Sequence, residues 1–143
     1  MDKSQFELVT IPDEVRTESR IPMENERWLV GLPLSPRSMF WWGAFTDWCV
    51  AADHGLFADY IERGPLIIFL ERQSDARWAL HPKTCEFRNA KNRRASWAGF
   101  IMRHPEIAAG LLAVLPNLVQ PAPPPSCGWF PSPGGEDFRA CCA

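Results

Sequence analysis

The chain carries almost no net charge. Its 15 Lys and Arg stand against 17 Asp and Glu, a formal −2 at pH 7, which excludes binding to nucleic acid through bulk positive charge. Long apolar runs are also missing: the nearest approach, IAAGLLAVL at 107–115, falls short of the roughly 18 residues a membrane span needs. The opening MDKSQFELVTIPDEVRTESR is acidic and has no apolar h-region, so no secretory signal is read and a soluble protein of the cytoplasm is expected. There is no C-x-x-C and no histidine at zinc spacing from a cysteine, so no metal and no cofactor is expected. P-loop, G-x-S-x-G and H-E-x-x-H signatures are lacking, as is any internal repeat.

What is present is a core. A chain of 143 residues is one domain's length, and 46% of it is hydrophobic. Seven tryptophans are many for this length. Each buries on the order of 200 Å² when enclosed, so most are expected inside, with one or two available for a recognition surface. The five cysteines, Cys49, Cys85, Cys127, Cys141 and Cys142, are expected as free thiols, Cys49 and Cys85 being buried as small hydrophobes. Charge is uneven along the chain: residues 1–62 sum to −6 and residues 63–143 to +4, a hint of two differently charged faces.

Residues 1–26 sustain no period and read as an arm that adds one short strand or drapes over the domain. The single domain spans 27–119. RWLVGLPL at 27–34 suits a strand, and Ser35-Pro36 is an N-cap followed by proline at the first helical position, opening a short helix closed by Gly43. LFADYIERG at 56–64 reads as a second helix with a Gly64-Pro65 stop, after a turn containing His54 and Gly55. LIIFLER and RWALH form a hairpin across QSDA, and TCEFRN alternates as a third strand ending in the polar turn NAKNRR. ASWAGFIMR and PEIAAGLLAVLPN are helices separated at His104-Pro105. The order β, α, α, β, β, β, α, α gives an α+β fold, with a small mainly antiparallel sheet of about four strands covered by short helices. Residues 120–143 form a Pro- and Cys-containing tail, in which Trp129 and Phe130 are candidates to fold back or to dock on a partner.

The succession WLVGLPLSPRSMFWWGAFTDWCVA, LFADYIERGPLIIF and RWALHPKTCEFRNAKN resembles an uncharacterised group of phage and mobile-element proteins. That group shares a tryptophan-led strand, a W-C-T-A-like turn, an F-x-x-Y helix, a G-P-L strand and a Q-L-H strand before F-x-D. The resemblance covers roughly residues 27–95 and implies a genomic setting, a bacterial host cytoplasm, rather than a chemistry. The sequence departs from the pattern at Val50, Ala79 and Asn89, where threonine, glutamine and aspartate are usual. Each departure removes a polar or charged function.

Cys49 and His54, with Asp53 between them and His81 on the strand, are the candidates for nucleophilic catalysis, which needs a base within hydrogen-bond reach of the thiol. Nothing in their spacing enforces that reach, and the plainer reading packs Cys49 beside Trp48 and uses His54 at the helix start. Among the carboxylates, Asp59 and Glu62 fall on the exposed side of a short helix. Binding has more support. Arg88, Lys91, Arg93 and Arg94 cluster on the predicted turn near Trp97, where they can meet an acidic protein surface, or hold phosphate and stack a base. The reading is a non-enzymatic phage-type module that binds a host or viral protein, such as a host defence complex. A nucleic-acid module using the 88–94 turn comes second, and a degenerate Cys/His enzyme third.

Overall fold

The computed structural model describes residues 8–84 and 86–111. Five strands, β1 (Ser19–Glu24), β2 (Trp28–Pro33), β3 (Ile67–Glu71), β4 (Arg77–His81) and β5 (Glu86–Asn89), pair in chain order. Every neighbouring pair is antiparallel. The helices are α1 (Asp13–Arg16), α2 (Pro36–Trp42), α3 (Cys49–Ala52), α4 (His54–Arg63), α5 (Trp97–Arg103) and α6 (Pro105–Leu111). The fold is α+β, and the N-terminal arm supplies its fifth strand, β1.

Helices cover both faces of the sheet. Leu29, Ile68, Leu70 and Ala79 pack with Met39, Trp42, Trp48, Val50, Phe57 and Tyr60 from α2–α4 and the chain leading into them. On the opposite face, Val30, Leu32, Ile67, Phe69, Leu80 and Phe87 pack with Trp97, Phe100, Ile107 and Leu111 from α5 and α6. The unbroken apolar run of β3 follows directly, because Ile67 to Leu70 are buried whichever way they point. Trp28, Trp42, Trp48 and Trp97 are buried, so the tryptophans are mainly core, as expected.

Local signals explain where several of these elements begin. Ser35 accepts from Ser38 N at 3.1 Å while Ser38 Oγ accepts from Ser35 N at 3.2 Å, a reciprocal box that starts α2 beside Pro36. Asp53, not the His54-Gly55 pair, starts α4. Its Oδ1 accepts from Gly55 N at 2.8 Å and Leu56 N at 3.1 Å, which makes His54 the first helical residue instead of part of a turn. Cys49 is disulfide-bonded and not the free thiol expected from sequence. Cysteine spacing carries no information about which sulfurs the fold brings together. The other four cysteines lie outside the described residues.

One glycine is fixed by packing. A Cβ on Gly31 would lie 2.1 Å from Cζ2 of Trp42, so the indole rests directly on the β2 backbone. There its Nε1 donates to Ser19 Oγ at 3.0 Å, tying α2 to β1 across β2. Gly31→Ala should destabilise the fold by about 1–3 kcal/mol through overpacking, read as a lowered urea midpoint at unchanged m-value. An unaltered midpoint would show that the indole does not sit there.

Candidate functional site

The basic turn is a folded-back extension of the edge strand β5. Asn89 organises it: its Oδ1 accepts from Lys91 N at 3.0 Å and Arg93 N at 3.1 Å, and its own N donates to Arg93 O at 3.0 Å. Asn92 takes a left-handed conformation at φ 61°, which asparagine tolerates. Arg94 then bridges back to Arg88, and Ala95 N donates to Phe87 O at 2.9 Å. A second segment clamps the turn from outside. In the loop after α2, Asp47 N donates to Ala90 O and Trp48 Nε1 donates to Asn89 O, both at 2.7 Å.

This geometry divides the residues grouped by sequence. Lys91, Arg93 and Arg94 are exposed on the turn. Arg88 is only 4% exposed and donates through Nη1 to Asn92 O at 3.2 Å, so it holds the turn from within. Strand alternation is the reason: Phe87 enters the α5–α6 core, which sends Arg88 to the α2–α4 face beside its cross-strand partner Ala79. Trp97 is buried and stacks at 5.9 Å on Phe100, with Phe69 and Phe87 beside it. It is a core residue, not a platform for a base. Trp129 and Phe130 lie outside the described residues.

Sequence reasoning missed two exposed aromatics, Phe45 in the segment that clamps this turn and Phe40 on α2. Phe45 is 90% exposed and holds φ 62°, a conformation unfavourable for a bulky side chain. Phe40 is 68% exposed on α2. A signal for it existed: Ser38, Met39 and Trp42 face inward, so Phe40 at 100° per residue from Met39 turns outward. Beside the Phe45 ring lies Arg77. Its Nη1 donates to Trp41 O at 2.7 Å and Trp42 O at 3.0 Å, satisfying carbonyls at the C-terminus of α2. Nε and Nη2 both bond Asp75 Oδ1, and the guanidinium lies 5.3 Å from the Trp41 ring and 6.0 Å from that of Phe45. Phe45 and the basic turn therefore belong to one surface, joined by the Asp47 and Trp48 bonds.

Of the sequence candidates for catalysis, Cys49 and His81 are committed elsewhere, and the side chain of His54 lies outside what the structure describes. Cys49 is engaged in a disulfide and has no thiol to ionise. His81 is fully buried, with Nε2 2.9 Å from Tyr60 O and Nδ1 2.8 Å from Thr84 Oγ1. A carbonyl only accepts, so Nε2 carries the hydrogen and Nδ1 accepts from the threonine hydroxyl. The ring thus fastens β4 to the last turn of α4. Tyr60 packs edge-on against it at 4.9 Å and donates to buried Glu86 at 3.4 Å. Burial pushes the His81 pKa down and the Glu86 pKa up, so both are biased toward their neutral forms. Among the described residues, no group of three or more His, Cys, Asp or Glu is placed to hold a metal ion, and no helix is long and apolar enough to cross a membrane.

The two buried groups act on stability in opposite directions. His81, depressed in the folded state, contributes stability that is present above its unfolded value of 6.5 and lost as pH falls below it. Glu86, raised in the folded state, stabilises at pH below its unfolded 4.5 and loses that contribution as pH rises. The contribution of His81 should therefore lower the melting temperature as pH drops below about 6.5, while that of Glu86 acts against it. His81→Gln should flatten that slope, and an unchanged slope would assign it elsewhere. No protein-family model, no curated protein and no solved structure matches the chain, so the meaning of the surface rests on its geometry.

Proposed function

We propose that this chain is a non-enzymatic interaction module that binds a host or viral protein stoichiometrically through Phe40, Phe45, Lys91, Arg93 and Arg94. The observation that carries the reading is Phe45, 90% exposed and held at φ 62°. A bulky residue in that region costs on the order of 1–3 kcal/mol of backbone strain, and strain of this kind collects at functional sites. An exposed, pre-oriented aromatic ring is the form an interface anchor takes, and the cations beside it supply a polar rim. Arginine and lysine on that rim select a partner whose apolar pocket is bordered by carboxylates. The resemblance of residues 27–95 to phage and mobile-element proteins supports the setting, for which stoichiometric blocking of a host defence complex is a fitting role. A cytoplasmic setting goes with this reading; the disulfide at Cys49 counts against it, since such bonds persist in oxidising compartments.

A nucleic-acid reading comes second. It draws on the same juxtaposition, since a cationic turn beside an exposed ring can hold phosphate and stack a base. Affinity purification from host lysate, with and without nuclease, separates the two. The chain should retain a protein in roughly equal amount after nuclease treatment. Phe45→Ala should weaken that binding by about 2 kcal/mol or more, as an anchor would. Joint replacement of Lys91, Arg93 and Arg94 by alanine should weaken it and reduce its salt dependence. Retention of the partner at full strength by the Phe45→Ala chain would overturn the proposal, and a nuclease-sensitive catch would transfer the surface to nucleic acid.

A further inference from the structure

At the far end of β2, away from the basic turn, the surface opens into a groove of about 270 Å³. Its apolar lining comes from Leu32, Pro33 and Leu34 of the β2 end and from Ile61, Pro65 and Leu66 around the end of α4. Arg20, directly across from Leu32 in the β1–β2 pair, is the one charged residue lining it. The pairing register of β1 shifts just beyond Arg20, between it and Met23. The floor includes Gly64, against which the stem of Lys83 packs so closely that a Cβ there would lie 2.4 Å from Lys83 Cγ.

Charge around the groove is lopsided. Arg20, Arg63 and Lys83 enter no ion pair among the described residues. Of the acidic residues flanking these segments, Glu18 is engaged by Ser35 Oγ and by the Arg37 guanidinium, and Glu62 is exposed on α4. Arg63 lies near enough to lower the pKa of His81 beneath it. An apolar trough with a guanidinium at its rim and further cations around it fits an amphiphile with one negative head.

We propose that this groove binds a short aliphatic monocarboxylate. The hydrocarbon lies along Leu34, Ile61 and Pro65, over the buried Leu32 and Leu66, and the carboxylate meets the two-pronged donor face of Arg20. A volume of about 270 Å³ is at the small end for ligand sites, which limits the occupant to a chain of a few carbons. The site is separate from the Phe45 surface and stands or falls independently of it.

The test is an amide-resolved NMR titration of the intact chain with butanoate, hexanoate and 1-hexanol, repeated on Arg20→Gln. Arg20 is exposed, so the variant keeps the fold. Hexanoate should shift the amides of Leu34, Gly64 and Leu66, with affinity rising about fourfold per methylene from butanoate. The alcohol should bind at least about tenfold more weakly than hexanoate, because it lacks the charged acceptor. Arg20→Gln should bring hexanoate down to the level of hexanol and leave hexanol unchanged. Equal affinity for acid and alcohol, full hexanoate affinity in Arg20→Gln, or an absence of shifts at those three amides would overturn the assignment.

Discussion

The structure depends on the burial of β3 on both faces. Ile67 and Phe69 point into one core and Ile68 and Leu70 into the other, so helices must close over each side of an antiparallel sheet. Neither half of the chain supplies that cover alone: α1–α4 come before β3 and shield one face, while α5 and α6 follow β5 and shield the other. Gly31 belongs to the same constraint. Without a side chain at that position, Trp42 can lie against β2 and bring α2 onto the sheet.

Seating α2 there also shapes the surface around Phe45. The helix ends with carbonyls that need donors, and buried Arg77 reaches from β4 to provide them, its guanidinium lying near the rings of Trp41 and Phe45. The chain leaving α2 passes Phe45 in a left-handed turn and bonds to Asn89 and Ala90 through Trp48 and Asp47. Two segments more than forty positions apart in sequence thus become one surface, with an aromatic part and a cationic part. At the other end of the sheet, His81 plays the matching structural role by fastening β4 to α4, which places Gly64 and Leu66 at the floor of the Arg20 groove.

Much of the fold was legible. The Ser35-Pro36 start, the Gly64-Pro65 stop, the RWALH strand and the His104-Pro105 break each carry local chemistry strong enough to fix an element boundary. The short α1 and α3 were not foreseen, since single turns of four residues have no period to detect. The site was legible only in part. Lys91, Arg93 and Arg94 were placed on a turn correctly, but Arg88 and Trp97 turned inward, because burial on both faces of β5 depends on helices whose positions the sequence does not encode locally. Phe45 was hidden for a different reason: its exposure comes from a left-handed backbone in a loop, which no hydrophobic pattern reports. Cys49 was misread because disulfide pairing is a tertiary fact.

The central claim is that the loop carrying Phe45 and the cationic turn form one rigid surface. Native-state hydrogen exchange at the Asp47 amide and the Trp48 indole N–H tests it most directly, because these two donors make the join. Both should be protected with opening free energies close to those of the Ile68 and Phe69 amides in the central strand. Exchange at either site as fast as that of an exposed loop residue such as Gln73 would mean that the two segments move separately, and the composite surface would not exist.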